Sequence, residues 1–248
     1  MMAKTHGKAS VVLVDEFDLS SHFNSLEESQ EISTAEVTTF GATGSARSYV
    51  PGLRSGTLSA QGFFDGAAGA VDVAISADLA AATKRVISAS HGAAIAVGGN
   101  AKLASADHIN HTVSSPVDGA VTTSFSAQCD QGIDTGVWLK TLAATTSTGD
   151  GTTVNRGAAT SLGWVAHIHC TAVSGTPTLD SELQDSADGN TWADVTGGAF
   201  AQLSAAGTER LVSAAGATLR QYVRESHTIG GGTPSLTYTV AVAARPVS

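Results

Sequence analysis

The chain has 248 residues, a net charge of −9, 14% charged residues, 5% aromatics and 27 glycines. This length holds one large or two medium domains, and the negative balance disfavours binding nucleic acid by neutralising phosphates. Small residues broken by frequent turns favour many short strands over long helices.

The charge is uneven: residues 1–150 carry 15 acidic and 8 basic side chains, residues 151–248 carry 7 and 5. An acidic first half suits a solvated face, or a channel wall along which a polyanion slides without sticking. Near the start, Lys4 and Lys8 precede the apolar run 11–14, which meets Asp15, Glu16 and Asp18 at once. That run is too short for a signal core or a membrane span, so a soluble, non-secreted protein without membrane insertion is expected.

After a turn at Asp18–Ser21, Leu26, Glu28, Gln30 and Ile32 alternate with Glu27, Ser29, Glu31 and Ser33. The second set is wholly polar, so one face of this strand sees solvent or a lumen. Residues 36–65 read as a hairpin: a strand, a Gly-rich arm at about 41–56, and a return strand at 57–65. The arm holds Arg47, Tyr49, Pro51, Leu53 and Arg54 but little that would form a core. An arm that cannot bury itself exists to touch another molecule.

Val71, Ile75 and Leu79 share one helical stripe, so 71–83 is predicted as a helix capped by Asp65 or Asp72. A strand at 71–76 is the alternative, because Val71, Val73 and Ile75 also alternate. Strands follow at 84–104 around turns at His91-Gly92 and 98–100, and 105–119 reads as polar loop. At 120–129, Val121, Thr123, Phe125, Ala127 and Cys129 alternate with Thr122, Ser124, Ser126 and Gln128, a half-buried strand with an uncharged polar face.

The Thr/Gly-rich stretch 143–163 is the expected boundary, giving units 1–145 and 164–248 joined by a linker at 146–163. Five strands are expected beyond it, at 164–173, 178–184, 209–213, 219–225 and 235–243. An Asp188-Gly189 turn and a hairpin turn at 230–232 separate some of them. The predicted fold is mainly β, a sandwich or barrel with one flanking helix followed by a second antiparallel β-sandwich. No fixed-period repeat is visible.

Chemistry is sparse. His167 and His169 share a strand face beside Cys170 but lack a third ligand at a usual spacing, so they read as a solvent-side or interface pair. His108 and His111 read as loop residues. Asp180, Glu182, Asp185 and Asp188 form no calcium loop and read as solvated turn residues. No nucleophile elbow, phosphate loop or dinucleotide fingerprint is present, and neither enzyme activity, metal nor cofactor is expected. Trp164, Trp192 and Tyr222 offer an alternative: sugar stacking by a carbohydrate- or cell-surface-binding module, although tryptophans here more often fill a sandwich core. Cys129 and Cys170 neither demand nor exclude a disulfide, and both read as small core residues.

The order of motifs resembles the major tail tube proteins of long-tailed bacteriophages, especially those infecting actinobacteria. The segments are 14–27, the strand 37–41, the Tyr49–Leu53 loop end, the Ser59–Asp65 strand, 116–144 and 157–195. The resemblance implies a tail-tube β-sandwich that assembles as rings, usually hexameric, stacked into the tube through which the genome passes. It implies that inner strands of neighbours join into one barrel and that the arm bridges rings, with Tyr49 and Leu53 as apolar anchors. It implies lumen-facing positions at Glu27, Glu31, Thr122, Ser124 and Ser126. Its partners would be other copies, tape-measure, tail-tip and tail-terminator proteins, and double-stranded DNA in transit. Its place would be the virion tail, assembled in the host cytoplasm. Threefold rings remain open beside sixfold ones.

Overall fold

Alternation of small apolar and polar residues dominates the chain, and the computed structural model realises it as antiparallel sheet. Residues 7–38, 46–68, 70–81 and 84–245 are described, with side chains for all of these except 77–81 and 107–109. Residues 41–45 of the expected arm, and the side chains of Leu79 and His108, therefore lie outside the description.

In chain order the elements are β1 (Val11–Val14), β2 (Phe17–Asp18), β3 (Phe23–Glu36), β4 (Tyr49–Phe63), α1 (Val71–Ala81), β5 (Arg85–Ser90), β6 (Asn100–Ser114) and β7 (Thr122–Thr145). They continue as β8 (Gly149–Asp150), β9 (Val154–Asn155), β10 (Trp164–Ser186), β11 (Ala193–Ala199), β12 (Gly207–Val212) and β13 (Tyr222–Ala244). Among the described residues the fold is mainly antiparallel β with one α-helix, as expected. No helix among the described residues is long and apolar enough to cross a membrane.

One hydrogen-bonded sheet runs β11-β10-β13-β7-β6-β5-β1-β2, with β4 also on β7 and β3 on β4. The 24-residue β7 is the shared member. Its first part pairs with β4 and β6, and its last part pairs with β13. The change of partner follows a corner at Gln131 and Gly132, with φ of 61° and 77°. Such left-handed backbone is easy for glycine and uncommon for glutamine, so this corner is a built feature.

Three apolar clusters follow from this path. The first packs Leu58, Ala60, Phe125, Ala127 and Cys129 against Val71, Ala74 and Ile75 of α1. The second gathers Trp164, Ala166, Ile168 and Cys170 of β10 with Leu236, Tyr238, Val240 and Val242 of β13. The third joins the halves through Leu13, Leu103, Trp138, Val165 and Ala241. Cys129 and Cys170 are free thiols in different clusters, and burial pushes each up to about 11.

Four expectations change. Residues 105–119 are not all loop, because β6 continues to Ser114, paired residue by residue with β7. Backbone bonds hold this polar segment, so it carries no apolar alternation to read. The return strand of the hairpin starts at Tyr49 rather than 57. Pro51 is tolerated there because β4 pairs with β7 only from Gly56 onward, leaving Pro51 opposite Thr34 alone. Strands 164–173 and 178–184 are one, as are 219–225 and 235–243. Residues 230–232 are accordingly no hairpin turn but the middle of β13, opposite Thr176–Thr178. The chains approach so closely that a Cβ on Gly231 would sit 1.9 Å from the Thr176 carbonyl oxygen.

Asp65 does not cap α1 by its side chain: its carboxylate accepts from Ala67 N at 2.9 Å in the preceding turn, while Asp72 occupies the first helical turn. The negative charge at Asp72 complements the helix dipole.

Candidate assembly surface

Four neighbouring strands, β3, β4, β7 and β6, put successive side chains on alternate faces. Register fixes which residues share a face. Glu27 lies opposite Ser59, Ser59 opposite Ser126, and Ser126 opposite Asn110. The next row is Ser25, Gln61, Ser124 and Thr112. Glu31 sits opposite Ser55 farther along, and Thr122 opposite Phe63 and Ser114 at the other end. This face is thus almost wholly Ser, Thr, Asn, Gln and Glu, while the reverse face carries the cluster on α1. Glu27 and Glu31 are exposed, and Thr122, Ser124 and Ser126 are half-buried.

Both margins of this four-stranded region are open. Among the described residues β3 pairs only with β4, and β6 beyond Ala106 pairs only with β7. On the reverse face Glu28 ties β3 to the rest of the unit, with Lys102 Nζ at 2.7 Å and His91 Nε2 at 3.3 Å.

The arm is the part of β3 and β4 that outruns β7. It exposes Ile32, Tyr49, Val50 and Leu53, the last 86% exposed. Near its tip Arg47 pairs with Glu36 at 3.3 Å on the surface. Arg54 behaves differently from the other arm residues. Its Nη2 donates to the Gln131 carbonyl at 2.9 Å and to Asp134 Oδ1 at 3.1 Å. Asp134 is almost fully buried, so Arg54 roots the hairpin at the β7 corner. Gln131 Oε1 accepts from Arg245 as well, which ties the same corner to the end of β13.

His167 and His169 are not on a solvent face: both are fully buried, on the same side of β10 as Val165 of the third cluster. β10 is covered on both sides here, so strand parity does not distinguish inside from outside. His169 Nδ1 lies 2.7 Å from the Asp15 carbonyl, which only accepts, so Nδ1 carries the proton. Its Nε2 then accepts from the Ser88 hydroxyl at 2.8 Å. Ser88 Oγ in turn accepts from His167 Nδ1 at 2.9 Å. His167 Nε2 is buried without a hydrogen-bond partner. Burial first, then the neighbouring imidazole and Arg210, hold His167 well below the ordinary range. Burial lowers His169 to about 4.

The remaining candidates disperse. His111 lies on β6 rather than in a loop, 3.1 Å from Thr123 Oγ1 and 3.6 Å from Asp72. Asp185 is buried rather than solvated, accepting from Arg220 N at 2.9 Å. Asp188 does serve a turn, accepting from Asn190 N and Thr191 N, and these bonds hold its carboxyl well below the usual range. Trp164 is fully buried, and Trp192 lies 4.5 Å beneath the Arg224 guanidinium. Among the described residues no group of three or more His, Cys, Asp or Glu could hold a metal ion.

Sequence reasoning missed Asn110, Thr112 and Ser114 as members of the polar face. Their signal was their matching polarity to Ser124 and Ser126, which register alone reveals. The Ser88 bridge had no sequence signal, since it joins residues 79 positions apart.

No protein-family model and no curated protein matches the chain. Among solved structures, similar chains include one in the virion of a native gene transfer agent particle, at 14% identity and TM-score 0.45, covering 53% of this chain and 98% of that one. The SPP1 tail tube gives 15% identity and TM-score 0.44, covering 53% of this chain and 78% of that one. The SPP1 Dit protein, described as a paradigm of the hub adsorption apparatus in phages infecting Gram-positive hosts, gives 13% identity and TM-score 0.35, covering 95% and 98%.

Proposed function

We propose that this chain is a non-enzymatic structural protein of a phage tail, assembling into stacked rings that form the tube through which DNA leaves the virion. One observation carries the reading: a four-stranded antiparallel region with a polar face, an apolar reverse face and two open margins. A long open strand edge is an association hazard unless another strand covers it. In a ring built by rotation, β3 of one copy meets β6 of the next. These strands run in opposite directions within a copy, so the new contact is antiparallel like all the others. Six copies give a barrel of about 24 strands, beyond the size that side chains alone fill. Sixfold symmetry rests on the sequence resemblance; a threefold ring is the competing count.

In such a barrel Glu27, Glu31, Thr122, Ser124 and Ser126 face the lumen. Acidic and neutral side chains give a passing phosphate backbone no counter-charge to hold it. The arm reaches toward the next ring with Tyr49, Pro51 and Leu53, while Arg47 stands at its tip and Arg54 at its root. The separate first and second apolar clusters support a tube-wall unit at 1–145 and a second unit at 164–248. Residues 146–163 between them contribute the short strands β8 and β9 to β13. Tape-measure, tail-tip and tail-terminator proteins are the remaining expected partners.

Electron microscopy of concentrated purified chain, with and without a tail-tip or tape-measure partner, tests this reading. Rings or tubes are expected, and deletion of residues 43–55 should abolish tubes while leaving a folded subunit. A chain that stays monomeric under all these conditions would overturn the proposal, and normal tubes from the deletion would remove the arm from it.

A further inference from the structure

Tyr49 and Phe63 are the two ends of one continuous strand, β4, and therefore stand about 45 Å apart. Each end carries exposed apolar side chains. Along the arm these are Tyr49 and Val50 toward its outer end and Leu53 beside Arg54 at its root. At the far end Phe63 is 53% and Phe64 39% exposed, and Val117 is fully exposed. The far-end residues lie close in the fold. Phe63 pairs with Thr122, Phe64 N donates to the Val121 carbonyl at 3.1 Å, and Val117 sits in the turn closed by the Ser114–Thr122 pair.

Both sets leave much apolar surface uncovered by their own subunit. Charge follows the same division. The tip carries Arg47, whose side chain is 69% exposed even in its pair with Glu36. The far end carries the exposed carboxylate of Asp118, next to Val117. Two different, complementary patches at opposite ends of one molecule make a head-to-tail contact, which repeats without closing on itself. A tip-to-tip contact would instead oppose Arg47 to Arg47 and stop at two copies.

Resting on the reading that rings stack, we propose that the far end of the β4–β7 sheet, with Phe63, Phe64, Val117 and Asp118, is the docking surface for the arm tip of a copy in the adjacent ring. Tyr49 and Leu53 of the incoming arm cover the apolar side chains, and Arg47 approaches Asp118.

Cross-linking and charge reversal test this directly. Leu53→Cys and Val117→Cys are made in separate preparations and mixed; the native thiols are buried, which keeps background reaction low. An oxidised dimer that needs both variants supports the proposal, and an L53C–L53C dimer in its place overturns it by showing arm-to-arm contact. Val117→Asp is expected to raise the concentration needed for tube growth about tenfold while single rings persist. Arg47→Glu should raise it about fivefold, and the pair Arg47→Glu with Asp118→Arg should restore it. Tubes of normal length from Val117→Asp, or no rescue by the double reversal, would overturn the docking surface. Absence of rings or tubes from the unaltered chain would instead overturn the tube reading itself.

Discussion

Two long antiparallel pairs define this molecule, and they are built to opposite rules. β10 and β13 pair from Trp164 opposite Ala244 to Ser186 opposite Tyr222, and much of both strands is buried on both faces. β3 and β4 pair from Phe23 opposite Gly62 to Glu36 opposite Tyr49, yet most of β3 is exposed. Inside the first pair, a buried carboxylate is satisfied within the subunit. Glu225 is fully buried and accepts from Ser181 Oγ at 3.0 Å, Tyr238 OH at 2.8 Å and His227 Nδ1 at 3.0 Å. The second pair leaves its polar face to water or to neighbours. Ordering a residue's backbone costs about 1–2 kcal/mol, and an exposed hairpin recovers little of it by burial. The first pair therefore holds the subunit together, and the second leaves its polar face and outer edge uncovered.

The sharpest way to break this contrast is to damage the buried pair. Trp164 is fully buried in the second cluster. Trp164→Ala removes its contacts and leaves a cavity, so a loss of about 3–5 kcal/mol is expected in denaturant unfolding. A loss below about 1 kcal/mol would mean that β10 and β13 are not the stabilising centre.

Acid sharpens the same contrast from the junction between the halves. The folded values of His167 and His169 lie below the ordinary 6.5, so the unfolded chain takes up these protons first on acidification. The stabilisation is complete above about pH 6.5 and is lost as pH falls, for His169 until about pH 4. For His169 alone this corresponds to roughly 3 kcal/mol. Unfolding measured from pH 7 to 4 should show the decline, and His169→Gln should flatten part of it. An unchanged slope in that variant would count against the Ser88 bridge as the acid-sensitive element.

How much of this was legible beforehand depends on whether one face of a strand meets water. At Leu26–Ser33 and Val121–Cys129 one face is polar, so alternation showed both the strand and its inward side. At Trp164–Cys170 both faces are buried, so alternation suggests a solvent or interface side for the two histidines where the subunit has none. Around Pro177 and Gly230–Gly232 the turn-forming residues mark a close crossing inside one long pair, which looks identical to a hairpin until the partner strand is known. The part of β6 beyond residue 104 reads as loop for a third reason: it is held by backbone bonds on a polar face, and polarity alone carries no strand signal. The exposed far end escaped notice because Phe63, Phe64 and Val117 come together only through the register of β4, β7 and β6.

The smallest expected effect is the most discriminating for the polar face. Glu27 and Glu31 are exposed and lie opposite Ser59 and Ser55 on a face that covers no core. Replacing both with glutamine keeps shape and hydrogen-bonding capacity while removing two negative charges. Subunit stability should stay within about 0.5 kcal/mol, as for surface changes away from caps and networks. A loss above about 1 kcal/mol would show that this face serves the subunit itself. If stability holds while DNA retention on assembled tubes rises at low salt, the charges act on what passes along the face rather than on what holds it together.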